Sequence, residues 1–474
     1  MHQIRTLARL VGLTPIVIAL LSPPALAEGA APPLGAYNAD ITESSISGIS
    51  SGAFMAVQFG VSWSSIVKGV GVIAGGPYYC AQGTAIDGLL GNLGPGLAAT
   101  GPCMKGPPPD LEPLFEKTDE WARGEHIDDS RNIANQRIYI FAGYNDSIVN
   151  PRVGDAAYRF YLHYVGGRNN GNMFYQGAIG AGHSQVTVDY GQPCNKNEGD
   201  FIDHCNYDQA GIILQHIYGA LNPKNRGPLS GKVIAFDQRE LTSPESPASY
   251  SMADTGYVYV PASCAAQQPC RVHIALHGCK QNFETIQDHY IQHAGYNEWA
   301  DTNRLIILYP QTIVGNPATD PFTPVNPFGC WDWWGYTNFN YAVKAGRQIT
   351  TMKAMLDRLT SGHLQNPPAR ADAAPFGIAV NDVSNTAVAI AWIPVTGAQT
   401  YTVNRASGGN SFTPIGSVSG QSFGDLGLLP STPYRYKVTV TLSGGTEGPS
   451  SPVVTATTLP VQPHCDTPGN CPVP

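Results

Sequence analysis

Residues 48–59 read Gly-Ile-Ser-Ser-Gly-Ala-Phe-Met-Ala-Val-Gln-Phe, so a serine between two glycines runs into an apolar stretch of good helix-forming residues. Where such a G-x-S-x-G motif joins a strand to a helix, the serine hydroxyl stands on a tight turn. The glycines relieve crowding there, and the helix N-terminus favours developing negative charge. The motif makes Ser50 a candidate nucleophile, with a strand before it and a helix after it.

The motif alone is weak evidence for a nucleophile, because a chain with 52 glycines can match it by chance. A second copy occurs at Gly420–Gly424, with Ser422 in the nucleophile's position. That copy lies among short alternating strands, and no helix-like stretch follows it. We therefore assign Ser50 and reject Ser422.

Asp146 and His183 are the candidates for the two groups that a nucleophilic serine needs, an orienting acid and a base. Asp146 follows the predicted strand Arg137–Ala142, at the strand end where open α/β sheets place catalytic groups. His183 stands in the glycine-rich loop Gly180–Ser184. Taken singly, the aspartate could be a turn former and the histidine a surface residue. Their order after the serine, however, is that of the α/β-hydrolases.

The chain up to about Leu359 alternates apolar runs with helix-like stretches, as an α/β domain does. We expect residues 28–362 to form an α/β-hydrolase catalytic domain. The predicted buried strands are Val70–Ala74, Arg137–Ala142, Tyr257–Val260, Val272–Leu276 and Leu305–Tyr309, and the predicted helices are Ala53–Phe59, Gln209–Leu221 and Tyr341–Leu359.

The oxyanion motif lies on the unexpected side of the nucleophile. In the α/β-hydrolases an HG-type motif precedes the serine in sequence. Here His277-Gly278-Cys279 follows the predicted strand Val272–Leu276, far beyond Ser50. We therefore predict a circularly permuted chain, whose helix Tyr341–Leu359 ends near the start of the nucleophile strand, since neighbouring termini tolerate permutation.

The composition excludes some partners. Lys and Arg number 27 against 35 Asp and Glu, and the net charge of −8 argues against nucleic acid and anionic membranes, which prefer a basic face. Charged residues make up 13% of the chain, about half the usual share of roughly 25%. With 42% hydrophobic residues, disorder is not expected. The surface should be polar but weakly charged.

Residues 1–27 are typical of a secretory signal peptide. Two arginines precede the apolar run Leu10–Leu21, and Ala25-Leu26-Ala27 fits a small-x-small cleavage site. A transmembrane anchor is the alternative, but the run is short and interrupted by glycine and proline. We expect a secreted protein, extracellular or periplasmic, that is monomeric and free of the membrane after cleavage.

All ten cysteines lie beyond the signal, and an even number in an exported chain favours disulfides. A metal site is the weaker alternative, because no pair has zinc-knuckle spacing. We expect no metal and no organic cofactor. Proximity in sequence suggests the pairs Cys80–Cys103, Cys194–Cys205, Cys264–Cys270, Cys279–Cys330 and Cys465–Cys471.

The pattern of apolar and turn residues changes after a linker predicted at residues 363–374. Residues 375–459 show short alternating strands between turn residues, which indicates a β-sandwich. The segment resembles a fibronectin type III module, with Trp392 in the place of the core tryptophan and Leu428–Tyr434 matching the tyrosine-corner segment. Residues 460–474 form a Pro-rich tail.

The whole arrangement resembles the secreted poly(3-hydroxybutyrate) depolymerases whose serine motif lies near the mature N-terminus. The resemblance covers most of Ala36–Leu359 and rests on Gly48–Gly52, Gly143–Asp146, Gly182–Ser184, His277–Cys279 and Cys330–Trp334. It implies a serine esterase that cuts a polyester or its oligomers through an acyl-enzyme.

The resemblance also implies the residue roles. Ser50 would be the nucleophile, His183 the base and Asp146 its partner, while the amides of Ser51 and Cys279 would bind the oxyanion. The chain departs from the family at its end, because only a short tail follows the fibronectin-like module, where a separate polymer-binding domain is usual.

Trp331, Trp333 and Trp334 could line a groove for an uncharged polyester, because aromatic faces pack well on aliphatic surface. Core packing beside a Cys279–Cys330 bridge is an equal alternative. Two alternative classes of function are also possible readings of the sequence. The first is an esterase with another substrate, either a feruloyl or acetylxylan esterase or a hydroxybutyrate oligomer hydrolase. The second is a non-catalytic adhesion protein built on a decayed hydrolase.

Overall fold

A computed structural model of the chain describes residues 31–82, 100–166, 171–363 and 375–460, the last range with gaps at 394, 396–397, 410, 421 and 443–446. The chain divides into two compact units, Met1–His363 and Leu364–Pro474, which we describe separately. The predicted signal, nearly all of the predicted linker and tail, and the Cys465–Cys471 pair lie outside the described residues.

The first unit is built on an eight-stranded sheet in the order β4-β3-β2-β1-β10-β11-β9-β8. From β4 to β11 neighbouring strands are parallel, while β9 pairs antiparallel with both β11 and β8. A small second sheet has the order β5-β7-β6. In chain order the strands are β1 (Ser44–Ile49), β2 (Val67–Ile73), β3 (Arg137–Phe141), β4 (Met173–Gln176), β5 (Gln185–Thr187), β6 (Gln192–Pro193), β7 (Ile202–His204), β8 (Lys232–Asp237), β9 (Thr255–Val260), β10 (Arg271–Leu276) and β11 (Leu305–Tyr309).

Helices cover both faces of the main sheet, which is why its central strands are apolar on both sides. On β11, Ile306 and Leu308 face a core with Phe59 and Met352, whereas Ile307 and its odd-numbered neighbours face a second core. The described helices are α1 (Ser51–Ser62), α2 (Glu112–Arg123), α3 (Pro151–Val165), α4 (Gln209–Tyr218), α5 (Arg239–Thr242), α6 (Ala262–Ala265), α7 (Phe283–Ile286), α8 (His289–His293), α9 (Tyr296–Asn303) and α10 (Arg347–Thr360).

The permuted order of the chain is visible in the sheet. The first strand, β1, lies at its centre, with β2 to β4 on one side and β8 to β11 on the other. The C-terminal end of α10 lies beside the segment that leads into this strand, where the Tyr37 amide donates to the Leu359 carbonyl at 2.9 Å. The predicted α/β-hydrolase fold with a displaced chain start is therefore confirmed.

All five predicted strands belong to the main sheet, with ends shifted by up to three residues. One predicted helix is wrong in its first third, since α10 begins at Arg347 instead of Tyr341. Tyr341 is buried and its ring stacks on Tyr79, and residues 341–346 form turns against the core. The apolar pattern there reflects core packing without a helix.

Four disulfides occur among the described residues, and each joins a cysteine to the next cysteine along the chain. They are Cys80–Cys103, Cys194–Cys205, Cys264–Cys270 and Cys279–Cys330. The last joins the loop after β10 to the tryptophan-rich segment, so it brings two parts of the predicted site together.

The second unit is a fibronectin type III-like β-sandwich. One sheet has the order β12-β13-β16, and the other has β15-β14-β17-β18, with β19 also pairing to β17. Its strands are β12 (Phe376–Val383), β13 (Ala387–Ile393), β14 (Ala398–Ser407), β15 (Thr413–Val418), β16 (Ser422–Leu426), β17 (Pro433–Leu442), β18 (Glu447–Ser450) and β19 (Val454–Thr457).

The two predicted landmarks of the sandwich are present. Trp392 is buried in its core, and the Leu429 amide donates to the Tyr434 hydroxyl at 3.0 Å, which is the hydrogen bond of a tyrosine corner. Ser422, in the rejected second copy of the serine motif, lies in strand β16 and has no helix behind it.

Among the described residues, none of the helices combines the length and the apolar character that a membrane span requires.

Candidate active site

Ser50 stands at the junction of β1 and α1 with φ 56° and ψ −123°. A positive φ is costly for a non-glycine residue and is common at functional sites. The turn is held because the Ser50 amide donates to the Ile73 carbonyl at 2.9 Å. The motif glycines permit the close packing, since a Cβ at Gly52 would overlap the His277 carbonyl oxygen and one at Gly48 would overlap Gly52.

Asp146 and His183 form a buried pair. His183 Nδ1 lies 2.8 Å from Asp146 Oδ2, and the two side chains are 5% and 1% exposed. The other carboxylate oxygen accepts from the amides of Ile148 and Val149, both at 2.8 Å. The acid is thus fixed by its own loop, so it can hold the imidazole in one orientation and keep Nε2 for the nucleophile.

The loops that carry this pair are packed backbone to backbone. The Asn145 amide donates to the Ala181 carbonyl at 3.1 Å. A Cβ at Gly143 would overlap the same carbonyl, and one at Gly182 would overlap the Lys196 carbonyl. The glycines around both residues are therefore required for the close approach of the loops.

Asn197 joins the two loops through its side chain. Its Oδ1 accepts from the amides of Ser147 and His183, both at 2.9 Å, and its Nδ2 donates to the Asn145 carbonyl at 3.1 Å. One amide group therefore fixes the backbone on both sides of Asp146 and at the histidine. The sequence analysis missed this residue, because no motif or spacing links it to the other two.

The oxyanion loop lies beside the nucleophile. A Cβ built on Gly278 would be 3.2 Å from Ser50 Cβ. The Gly278 amide is already used, since it donates to Gln281 Oε1 at 2.7 Å. By contrast, the Cys279 amide has no acceptor among the described residues. The Ser51 amide opens α1, where the first N–H groups of a helix have no partner within it. Both proposed oxyanion donors are therefore available.

His277 supports this loop from inside the protein. It is fully buried, and desolvation lowers its pKa to about 4, so the ring is neutral at pH 7. Nδ1 lies 2.7 Å from the Gly278 carbonyl, to which it donates, and Nε2 accepts from the Thr312 amide at 3.4 Å. Both ring nitrogens are thus engaged in holding the loop, and the ring is not free to act as a base.

The tryptophan segment contacts the site from the side of α1. The Trp331 amide donates to Ser51 Oγ at 3.2 Å, and the Trp333 ring stacks on Phe54 at 4.0 Å between centroids. Trp331 and Trp333 are buried, whereas Trp334 is partly exposed. Asp332 orders the turn that follows by accepting amides of residues 334–337, and burial raises its pKa.

An apolar surface adjoins the oxyanion loop. The Lys280 amide donates to the Phe328 carbonyl at 2.7 Å, and the Gly315 and Asn326 backbones pair with each other. This hairpin, residues 313–329, exposes Val314, Phe322, Val325 and Phe328, of which Phe322 is 78% exposed.

The described residues hold no metal-binding cluster, and one of their cavities is separate from the predicted site. No cluster of three or more metal-ligating side chains occurs among the described residues. A cavity of about 720 Å³, lined by side chains that include Asp128, Arg131 and Lys344, contains none of the predicted site residues.

No protein-family model matches the chain. The chain is 39% identical over 425 residues to a poly(3-hydroxybutyrate) depolymerase of Delftia acidovorans, covering 88% of this chain and 80% of that protein. It is 36% identical over 344 residues to a polyhydroxybutyrate depolymerase of Talaromyces funiculosus, covering 71% and 95%.

The same similarity is found among solved structures. The crystal structure of a PHB depolymerase from Penicillium funiculosum matches with a TM-score of 0.61 and 34% identity, covering 70% of this chain and 99% of that one. A serine-to-alanine variant of a PHB depolymerase, complexed with an R3HB trimer, matches with the same TM-score, identity and coverage.

Proposed function

The chain belongs to the poly(3-hydroxybutyrate) depolymerase family, and from this we propose that it hydrolyses the ester bonds of poly(3-hydroxybutyrate) to oligomers and monomers. The observation that carries the proposal is the convergence of three loops on one edge of the main sheet. Ser50 follows β1, Asp146 follows β3 and Cys279 follows β10, and these strands are parallel. Their carboxyl ends therefore meet at one edge.

The proposed reaction is acyl transfer through a covalent intermediate. His183 takes the proton of Ser50 Oγ, the oxygen attacks the ester carbonyl, and the amides of Ser51 and Cys279 bind the oxyanion. The tetrahedral intermediate then collapses, its bond to the leaving alcohol oxygen breaks, and the protonated imidazole gives its proton to that oxygen. Water, deprotonated by the same imidazole, attacks the acyl-enzyme. The bond to Ser50 Oγ then breaks, the imidazolium returns its proton to Ser50 Oγ, and the carboxylic acid leaves.

Asp146 keeps the imidazole productive during both steps. With Nδ1 bound to the carboxylate at 2.8 Å, the tautomer that presents Nε2 to the serine is favoured. The carboxylate also stabilises the imidazolium that forms. Because two backbone amides already hold the other oxygen of Asp146, the pair needs little rearrangement when a substrate binds.

The surface beside the site suits an uncharged, aliphatic substrate. The exposed Val314, Phe322, Val325 and Phe328 of hairpin 313–329 offer apolar contact area, and Phe328 adjoins the oxyanion loop at Lys280. Within the tryptophan cluster we place the substrate contact at Trp334, the partly exposed ring. Trp331 and Trp333 would support it from below.

We further propose that the enzyme works outside the cytosol as a monomer. The four described disulfides support an oxidising compartment. The chemistry proposed above is complete with side chains and backbone amides, so we assign it no cofactor.

The test is the clearing of a poly(3-hydroxybutyrate) suspension by the purified protein, beside the soluble hydroxybutyrate trimer and a feruloyl ester. Ser50→Ala should lower the rate by at least roughly 1,000-fold, because loss of a nucleophile leaves only binding and oxyanion contributions. Ser422→Ala, in the second copy of the motif, is the matched control and should retain full activity.

Other outcomes would overturn the proposal. Clearing by Ser50→Ala at the parental rate would remove Ser50 from the mechanism. Faster turnover of the feruloyl ester than of the polymer and trimer would favour the carbohydrate esterase function. Failure of a phosphonate probe to label Ser50 in the parent would favour the non-catalytic adhesion protein.

A further inference from the structure

We propose that one end of the β-sandwich is a second contact for solid polyester, distinct from the active site. This end, which we call the leucine tip, comprises residues 384–387, 426–433 and 457–460. The inference rests on the proposed function, because that function supplies the polymer. It gives a binding role to the second unit of the chain.

The leucine tip exposes three leucines among small and uncharged polar side chains. None of its 16 residues is Asp, Glu, Lys, Arg or His. Leu426, Leu429 and Leu459 are 76%, 68% and 52% exposed, although leucine is among the residues most often buried. Exposed leucines gathered at one end of a domain are the kind of feature that marks an interaction surface.

Hydrogen bonds bring the segments of the tip together. The Leu459 amide donates to the Ser384 carbonyl, and the Ser431 amide donates to the Leu459 carbonyl at 3.2 Å. The Thr458 hydroxyl donates to the Leu429 carbonyl at 2.6 Å. Leu426 joins them because it pairs with Ala387 at the end of β16. The backbones of the three leucines therefore lie at the same end of the sandwich.

The backbone of the tip is fixed at Leu429 and Leu459. Leu429 uses its amide in the tyrosine corner and its carbonyl in the bond to Thr458. Leu459 likewise uses both backbone groups. Pro430 and Pro433 restrict the connecting loop further. A backbone held in this way loses little conformational entropy on binding, so more of the apolar contact made by its side chains appears as affinity.

The chemistry of the tip fits a neutral aliphatic solid. An anionic membrane or a nucleic acid would require basic side chains, and the tip has none. A polyester of hydroxybutyrate units presents methyl groups and ester oxygens without charge. No charged group therefore has to be desolvated when the leucine side chains pack against it. A second copy of this chain is the alternative occupant, and the experiment separates the two.

The experiment measures adsorption of the full chain to poly(3-hydroxybutyrate) film and, separately, hydrolysis of the soluble hydroxybutyrate trimer. Each variant also carries Ser50→Ala for the adsorption step, so that the film is not eroded. The triple variant Leu426→Ser, Leu429→Ser, Leu459→Ser should raise the half-saturation concentration by at least about tenfold. Trimer hydrolysis by the active forms should be unchanged.

Two controls accompany it. The triple Leu→Met variant keeps apolar side chains at the same positions and should adsorb like the parent. Val453→Ser removes an apolar side chain that is 44% exposed outside the tip and should also have no effect. Equal thermal melting of all variants shows that they are folded.

Adsorption of the triple serine variant equal to that of the parent would overturn the inference, and so would a parental dimer in light scattering that the serine variant converts to monomer. A parent that adsorbs through the tip but cuts neither polymer nor trimer would refute the proposed function and leave the contact standing. The two failures are thus distinguishable.

Discussion

Asn197 is a positioning residue in the proposed mechanism, because its side chain binds the backbone of both loops that carry Asp146 and His183. Asn197→Ala removes these three hydrogen bonds and a fourth, to the Asn195 carbonyl at 3.4 Å. Small displacements of a catalytic pair cost up to about 100-fold in rate. We expect kcat on a soluble ester to fall by about 10- to 100-fold with KM little changed, since the substrate contacts remain. Steady-state kinetics measure both.

Conservative variants separate positioning from mere folding. Asn197→Asp keeps an acceptor for the Ser147 and His183 amides but loses the donor to the Asn145 carbonyl. It should recover part of the lost kcat. Asn195→Ala, at an exposed neighbour, should behave like the parent. A fall in melting temperature of Asn197→Ala without any fall in kcat would show that the residue serves stability alone.

At the scale of single residues, the sequence could identify those that belong to motifs. Glycines that close packing requires lie next to Ser50, His183 and the His277–Cys279 loop, so the glycine pattern of the sequence indicates these positions. Asn197 has no such neighbouring motif, because all of its partners are backbone groups and three of them lie 14 to 52 residues away. Backbone partners leave no trace in the identity of side chains.

Among the elements, the sheet of β5, β7 and β6 contains a buried acid that the mechanism does not use. Asp203 in β7 is 0% exposed, and desolvation raises its pKa to about 7, against the opposing effects of Ser184 and Lys196. The unfolded chain ionises near the ordinary value, so stability is lost as pH rises from about 4 to about 7. Above this window the folded protein holds a buried charge.

Asp203→Asn removes this charge and should raise the melting temperature at pH 8, while the difference from the parent should vanish near pH 4. Calorimetry at the two pH values measures the effect. Asp189→Asn, at an exposed aspartate on the same segment, is the control and should change neither value. A parent more stable than Asp203→Asn at pH 8 would show that the carboxylate is stabilising.

The elements themselves were predictable where apolar runs and burial coincide. The five predicted strands are fully or largely buried on both faces, and such runs have few other interpretations. The helix expected from Tyr341 failed for the same reason, because Tyr341-Ala342-Val343 is buried in turns. Apolar periodicity reports burial, and only the Gly346 cap shows where α10 begins.

For the whole molecule, the division into two units separates hydrolysis from the proposed adsorption. Every hydrogen bond that we describe at the active site lies within the first unit, and the buried cluster of the sandwich contains only residues of the second. A chain that ends after His363 should therefore keep kcat/KM on the soluble trimer within about twofold, since no described site residue loses a partner. Its adsorption to polymer film should fall as in the triple serine variant of the leucine tip.

The truncated Ser50→Ala form gives the background rate. A tenfold or larger loss on the trimer would mean that the sandwich contributes to the site, whereas unchanged adsorption would place all polymer binding on the first unit, with hairpin 313–329 as its apolar surface.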